Sequence, residues 1–232
     1  MFFNDILKES HTYVAYRKII SNLISCDKTT GLVQTEDLLK ATKQNVERMN
    51  KIDLSLHISK SQKEEIKHLK RKIICLVIAE AWSYDCAELL PIIQKVSDAS
   101  EGTIDIKIVF RDEYPALIAA FDTNGTHSIP KVIAIDAQSM QVLCLWGPRP
   151  RFIQDMVLKW KKEQVKVDWS TLQENLLLSY QSDNGKNILE ELIGLVNSIS
   201  IIKIKNAKKA WLSPTIVFDP DDTLSNTIEF VE

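Results

Sequence analysis

Apolar and polar positions alternate along this chain in blocks that predict strands and helices in turn. The most apolar block, residues 73–78, is followed by a short polar turn and then by apolar residues at helical spacing. A continuous run rich in Ile and Val is typical of a strand that is buried on both faces. Similar patterns predict further strands at 104–110, 131–136 and 141–146 and helices at 84–99, 113–121 and 150–163. This alternation is typical of an α/β domain.

The two flanks of this α/β block have mainly helical patterns. Before it, apolar stripes predict helices at 1–25, 35–52 and 59–69. These stripes are too narrow to form a separate core, so we expect the helices to pack on the α/β block. After it, the pattern predicts two helices that meet at residues 182–185 and then strands at 199–204, 214–218 and 227–231. We therefore divide the chain into a helical extension (1–68), an α/β domain (69–166) and a small α+β appendage (167–232).

The turn after the first buried strand, residues 82–86, reads Trp-Ser-Tyr-Asp-Cys and lies where a helix begins. Unpaired backbone N–H groups and the helix dipole stabilise an anion or a thiolate at such a position. The turn is therefore the leading candidate site. Ser83 suits the helix N-cap, and this interpretation competes with a nucleophilic role. No histidine or lysine base stands next to Ser83 in the sequence.

The order of strand, Trp-x-x-x-Cys and helix resembles the thioredoxin superfamily, whose motif reads Trp-Cys-x-x-Cys. Residues 128–131 (Ser-Ile-Pro-Lys) are similar to the cis-proline segment of that family, and residues 146–150 (Trp-Gly-Pro-Arg-Pro) lead into the last helix. With residues 111–113 (Arg-Asp-Glu) and the helical lead-in, the chain most resembles a bacterial subgroup of the family. The resemblance covers residues 1–163 and implies a thioredoxin-like three-layer sandwich with a mixed central sheet.

The chain departs from the family at the attacking cysteine, where it has Ser83, and only Cys86 remains at the resolving position. Disulfide exchange needs one thiolate to attack and a second thiol to resolve, so we expect weak or absent reductase activity. Three readings of Cys86 stay open. It is a buried and inert vestige, a monothiol activated by the helix N-terminus, or a thiol paired with Cys75 or another chain. Asp85 beside it disfavours a thiolate.

By the resemblance, Trp82 supplies an apolar contact for substrates, and we expect Tyr84 to be exposed beside it. Ile129 precedes the cis-proline position, Pro130, where the family offers backbone hydrogen bonds to an extended chain. This feature does not need the missing cysteine, so a non-catalytic protein- or peptide-binding module is an alternative. His127 is near this loop in sequence, and the competing interpretation is an ordinary surface histidine.

Composition and charge restrict the classes of partner. The chain has 29 basic and 31 acidic residues, and this balance does not support a nucleic-acid or membrane partner. The N-terminus lacks a signal-peptide pattern and the apolar runs are too short to cross a bilayer. We therefore expect a cytoplasmic protein whose four cysteines are reduced. The spacing of histidines, cysteines and glycines predicts no metal or other cofactor, and Arg149 and Arg151 do not establish an anion site.

Three functional hypotheses follow from these observations. The first is a thioredoxin-family protein of thiol redox homeostasis that, if active, is a monothiol-type oxidoreductase acting through Cys86 on protein thiols or a low-molecular-weight thiol. The second is a binding module that uses the surface around Trp82 and Pro130. The third is a structural subunit that forms a homodimer through residues 167–232. The accessibility of Cys86 separates the first hypothesis from the other two.

Overall fold

A four-stranded mixed sheet lies at the centre of the protein, and a computed structural model describes residues 2–163 and 167–202. The strands are β1 (Ile73–Ala79), β2 (Ile104–Phe110), β3 (Lys131–Asp136) and β4 (Val142–Trp146). Their order is β2-β1-β3-β4, with β1 and β2 parallel and the other neighbours antiparallel. All four strands lie where the sequence predicts them, because each is a short apolar run between turn residues. The predicted mixed sheet with surrounding helices is therefore confirmed.

In the two described ranges, nine helices surround this sheet. They are α1 (Phe2–Glu9), α2 (Tyr13–Ser25), α3 (Glu36–Ser55), α4 (Lys60–Lys67), α5 (Tyr84–Ala99), α6 (Pro115–Ala120), α7 (Arg151–Glu163), α8 (Trp169–Asp183) and α9 (Lys186–Ile201). Five of them begin at a side chain that accepts a hydrogen bond from the backbone N–H three residues later: Thr12, Thr35, Ser59, Ser83 and Asp168. Such caps fix helix starts locally, which is why the starts of α3 and α5 could be predicted from the sequence.

The prediction of a single helix over residues 1–25 is wrong. Helix α1 ends at Glu9, and His11 then forms two backbone hydrogen bonds of 2.8 Å with Ile108 in β2. Thr12 caps the new helix α2. The apolar stripe continues across the break, so the periodicity alone gave no sign of this contact with a distant strand.

The prediction of a strand over residues 199–204 is also wrong in its described part. Helix α9 continues to Ile201, and Ile199 completes the buried stripe that Ile188 and Leu192 begin. A short run of β-branched residues fits a buried helix as well as a strand. The predicted helix 113–121 is split, because a 3-10 turn (Arg111–Glu113) precedes α6. Residues 203–204 and the predicted strands 214–218 and 227–231 lie outside the described residues.

One buried apolar cluster runs through the extension, the sheet and the appendage. Tyr16 and Met49 of the extension, Leu76 of β1 and Leu192 of α9 all belong to it. Helix α5 lies within this cluster and buries 12 of its 16 residues, with α3, α4, α9 and β2 against it. The division of the chain into three segments stays a prediction, but all three contribute to this core. Among the described helices, none is long and apolar enough to cross a membrane.

Candidate functional site

The turn of residues 82–86, the motif turn, connects β1 to α5, and Ser83 is the N-cap of that helix. The Ser83 hydroxyl accepts a hydrogen bond of 3.3 Å from the backbone N–H of Cys86. The Ser83 side chain is buried, and its backbone N–H donates to the Glu80 carbonyl at 3.2 Å. The N-cap interpretation of Ser83 is therefore confirmed, and its hydroxyl oxygen is held by the helix end.

Cys86 is enclosed by the core, with 1% of its surface exposed. Burial raises the pKa of its thiol to about 12. The Ser83 hydroxyl and the Glu80 backbone oppose this rise, while the carboxyl groups of Asp85 and Glu80 add to it. The helix N-terminus therefore does not produce a thiolate here. All four cysteines are free, so the suggested pairing with Cys75 is not formed. This geometry favours the reading of Cys86 as buried and inert.

Asp85 joins the motif turn to two other parts of the chain. One carboxylate oxygen accepts a hydrogen bond from the Tyr180 hydroxyl in α8, and the other lies 2.8 Å from the Arg149 guanidinium. Burial raises the pKa of Asp85, while Arg149 and Tyr180 act against that rise. Arg149 is thus occupied by a carboxylate, and Arg151 lies 3.9 Å from Asp155. Sequence reasoning missed the role of Tyr180, because no local pattern links it to Asp85.

Glu191 of α9 holds the segment that precedes α7. Its two carboxylate oxygens accept hydrogen bonds from the Trp146 indole N–H at 2.6 Å and the Arg151 backbone N–H at 2.8 Å. Arg151 is the first residue of α7, so Glu191 satisfies a free N–H group at the start of that helix. The described helices of the appendage therefore contact both Trp146 and the motif turn.

The aromatic residues of the turn are partly covered. The prediction that Tyr84 is exposed is wrong: it is half-buried, because the Arg48 guanidinium lies 4.2 Å from its ring centroid and the Tyr180 ring packs at 6.2 Å. Trp82 is also half-buried, and the Arg111 guanidinium lies 4.9 Å from its ring centroid. Both side chains therefore pack against the core and keep part of their surface exposed.

Glu80 is a residue of this site that sequence reasoning missed. It is fully buried at 0% exposure, and Oε1 accepts a hydrogen bond of 3.1 Å from the Asp112 backbone N–H. Its other oxygen, Oε2, has no hydrogen-bond partner in the described part of the chain. Burial raises the pKa of Glu80. A lone acidic residue directly after an apolar strand was the available signal in the sequence.

The segment before β3 lies at the same end of the sheet as the motif turn, since Ile78 of β1 pairs with Lys131. The Ile129–Pro130 peptide bond is cis, and both residues are buried. The backbone N–H and C=O of Ile129 make no hydrogen bond within residues 2–163 and 167–202. His127 is exposed in the same loop.

Comparison with known proteins finds a matching family model and two similar solved structures. A family model described as Thioredoxin matches residues 31–166. Two solved structures are similar: a protein of unknown function from Pseudomonas aeruginosa (19% identity, TM-score 0.48, 82% of this chain and 96% of that one) and an HIV epitope scaffold (18% identity, TM-score 0.46, 82% and 97%). At these values neither structure informs the function of this chain. Among curated proteins, none matches significantly.

Proposed function

The chain belongs to the thioredoxin family, and from that premise we propose that it is a family member whose disulfide reductase activity is weak or absent. The observation that carries this proposal is the state of Cys86. It is the only thiol of the motif, it is almost completely buried, and burial raises its pKa to about 12. Ser83, at the attacking position, is engaged as the cap of α5.

Thiolate chemistry explains why this arrangement supports the loss of activity. The thiolate is the nucleophile in disulfide exchange, and a free cysteine has a pKa of about 8.5. A thiol with a pKa of about 12 therefore holds roughly a thousandfold less thiolate at neutral pH than a free one. Burial also keeps a disulfide substrate away from the sulfur. A monothiol mechanism at Cys86 has no support from this geometry.

Alkylation of the native protein across a pH series, resolved for each cysteine by mass spectrometry, tests this proposal. Cys26 is exposed and serves as the internal reference. We expect Cys86 to react at least about 100-fold more slowly than Cys26 at neutral pH, and to react readily once the protein is unfolded. The Cys86→Ala variant confirms the peptide assignment. If Cys86 reacts as fast as Cys26 in the folded protein, the proposal is wrong and the monothiol hypothesis stands.

One observation supports a second candidate function, a non-catalytic binding module: the backbone groups of Ile129 have no hydrogen-bond partner among the described residues, although only 6% of the residue is exposed and the segment would have to open slightly to pair. An extended chain that adds to this segment would pair with the N–H and C=O groups of Ile129, and Trp82 would offer apolar contact beside them. Neither interaction requires a cysteine. This candidate is consistent with a buried Cys86 thiol, because its function would be to bind a polypeptide and would not use a thiol.

Binding of a reduced, alkylated and unfolded polypeptide is the probe for this second candidate. We expect the Trp82→Ala variant to bind it at least about tenfold more weakly, since a tryptophan at the centre of an interface contributes about 2 kcal/mol or more. Trp169→Ala is the matched control, because Trp169 is a partly exposed tryptophan on α8. Isothermal calorimetry measures both affinities. If both variants bind as tightly as the unchanged protein, Trp82 is not part of the binding surface.

A further inference from the structure

We propose that residues 29–34 form a lid over Glu80 and Trp82, and that ionisation of Glu80 opens this lid as the pH rises. The lid lies against the candidate binding surface, so its role as a regulator of that surface rests on the proposed function. The coupling between Glu80 and the lid is a separate physical claim, and it is tested without any binding partner.

The lid is attached to the site by polar contacts. Thr30 accepts a hydrogen bond of 2.8 Å from the Ala81 backbone N–H, and the Leu32 N–H donates to Asp112 Oδ2 at 2.9 Å. The Gln34 side chain folds back onto the lid and bonds to Thr29 and Gly31. Leu32 is 84% exposed, so its apolar side chain adds little burial. Thr29 and Thr30 at the start of the lid are buried, but their contacts are polar, and a segment with few buried apolar contacts opens at low free-energy cost.

Gly31 brings the lid directly onto the buried carboxyl group. A Cβ atom at this position would lie 2.8 Å from Asp112 Oδ2 and 3.4 Å from both Glu80 Oε2 and Trp82 Nε1. The φ angle of Gly31 is +86°, which favours glycine as well. The closed lid thus excludes water from Glu80 Oε2, the oxygen that has no hydrogen-bond donor.

The groups that face Glu80 do not supply a dedicated positive partner. Asp112 and Arg111 face it from the 3-10 turn, Cys86 from α5, Tyr16 from α2 and the Thr30 hydroxyl from the lid. Burial raises the pKa of Glu80 more than the Thr30 hydroxyl and the Asp112 backbone lower it, so the pKa is raised on balance. The Arg111 guanidinium is shared with the Asp112 carboxylate at 2.9 Å and with the Trp82 ring. Tyr16 and Cys86 are neutral because burial raises the pKa of both.

An ionised Glu80 beneath the closed lid therefore leaves one charged oxygen without a donor beside a second carboxylate. Burying such a group is costly, whereas an open lid lets water solvate it. Protonation and closure are consequently linked: the closed form holds the Glu80 proton more tightly than the open form.

The direction of the pH effect follows from the raised pKa of Glu80 in the closed form. Opening lets water reach Glu80 and moves its pKa towards the value of about 4.3 for a carboxyl group in water, so the open form loses its proton first as the pH rises. Closure is most stable below that pH. Above it, the equilibrium constant for closure falls by up to about tenfold per pH unit until the closed form ionises as well, and it is constant at higher pH.

Hydrogen exchange of the Leu32 backbone N–H measures closure, because this group donates to Asp112 only when the lid is closed. We expect its protection factor, corrected for the intrinsic rate, to fall as the pH rises from about 4.3. In Glu80→Gln, which keeps the shape but cannot ionise, protection should be independent of pH. The matched control is Glu113→Gln, since Glu113 is an exposed acid in the same 3-10 turn, and it should behave as the unchanged protein.

A second variant keeps the test decisive if Glu80→Gln does not fold. Gly31→Ala should hold the lid open and abolish both the protection of Leu32 and its pH dependence. Gly125→Ala is the control, because Gly125 also has a positive φ of +75° but has nothing within 4 Å of an added Cβ. The proposal is overturned if protection in the unchanged protein does not vary with pH, or if Gly31→Ala keeps it. A reactive Cys86 would refute the proposed function without affecting this result.

Discussion

Replacing Asp85 with asparagine is expected to lower the free energy of unfolding by about 3–5 kcal/mol, because it removes one partner of a largely buried ion pair. The Arg149 guanidinium, 2.8 Å from Asp85 and mostly buried, would be left without a counter-charge. The Tyr180 hydroxyl would keep only a neutral acceptor in place of the carboxylate. Urea denaturation followed by circular dichroism measures the change.

Asp98→Asn is the matched control for this substitution. Asp98 lies on the same helix as Asp85 but is exposed, so its replacement should change the stability by no more than about 0.5 kcal/mol. Combining Asp85→Asn with Tyr180→Phe should give a smaller loss than the sum of the two single changes, since both act on one hydrogen bond. A loss below about 1 kcal/mol for Asp85→Asn would show that the ion pair does not hold the turn to residues 146–150 and α8.

Replacing Ser83 with cysteine is expected to restore a dithiol at the motif and with it disulfide exchange. The new sulfur would lie at the start of α5, three residues before Cys86, at a position where the Ser83 hydroxyl already contacts the Cys86 backbone N–H at 3.3 Å. The helix N-terminus favours a thiolate at position 83 while the burial of this residue opposes it, and Cys86 then serves as the resolving thiol. Reduction of a disulfide substrate should rise well above the level of the unchanged protein.

The double variant Ser83→Cys with Cys86→Ala separates this outcome from simple thiol reactivity. It should form mixed disulfides but should not turn over, because no thiol remains to resolve them. Mild oxidation of Ser83→Cys should also yield an internal disulfide, detected as the loss of two hydrogen atoms by mass spectrometry. If the single variant forms no such bond and shows no reductase activity, the serine at position 83 does not account for the weak or absent activity that we propose.

The described helices of the appendage support the motif turn within one chain. Tyr180 of α8 bonds to Asp85, and Glu191 of α9 bonds to Trp146 and to the start of α7. These contacts give residues 167–202 a role in holding the candidate site. The hypothesis of a homodimer through residues 167–232 stays a prediction, which solution mass would test.

The sequence by itself determined the elements whose causes are local. An apolar run was enough to predict β1, and a hydroxyl side chain was enough to predict the cap of α5. The identity of residue 83 was enough to predict that the attacking cysteine of the family is missing. Each of these features depends on residues within a few positions of one another, so the pattern along the chain contains it.

Only the tertiary structure decided the chemical state of the site. The partner of Asp85 is Tyr180, 95 residues away, and the donor to Glu80 is the N–H group of Asp112, 32 residues away. The burial that raises the pKa of Cys86 likewise comes from elements distant in sequence. Burial and charge pairing depend on which distant elements pack together, and the spacing of residues along the chain does not show which of them do. The sequence therefore located the candidate site, and the packing of distant segments determined that its thiol is buried and its carboxyl groups are enclosed.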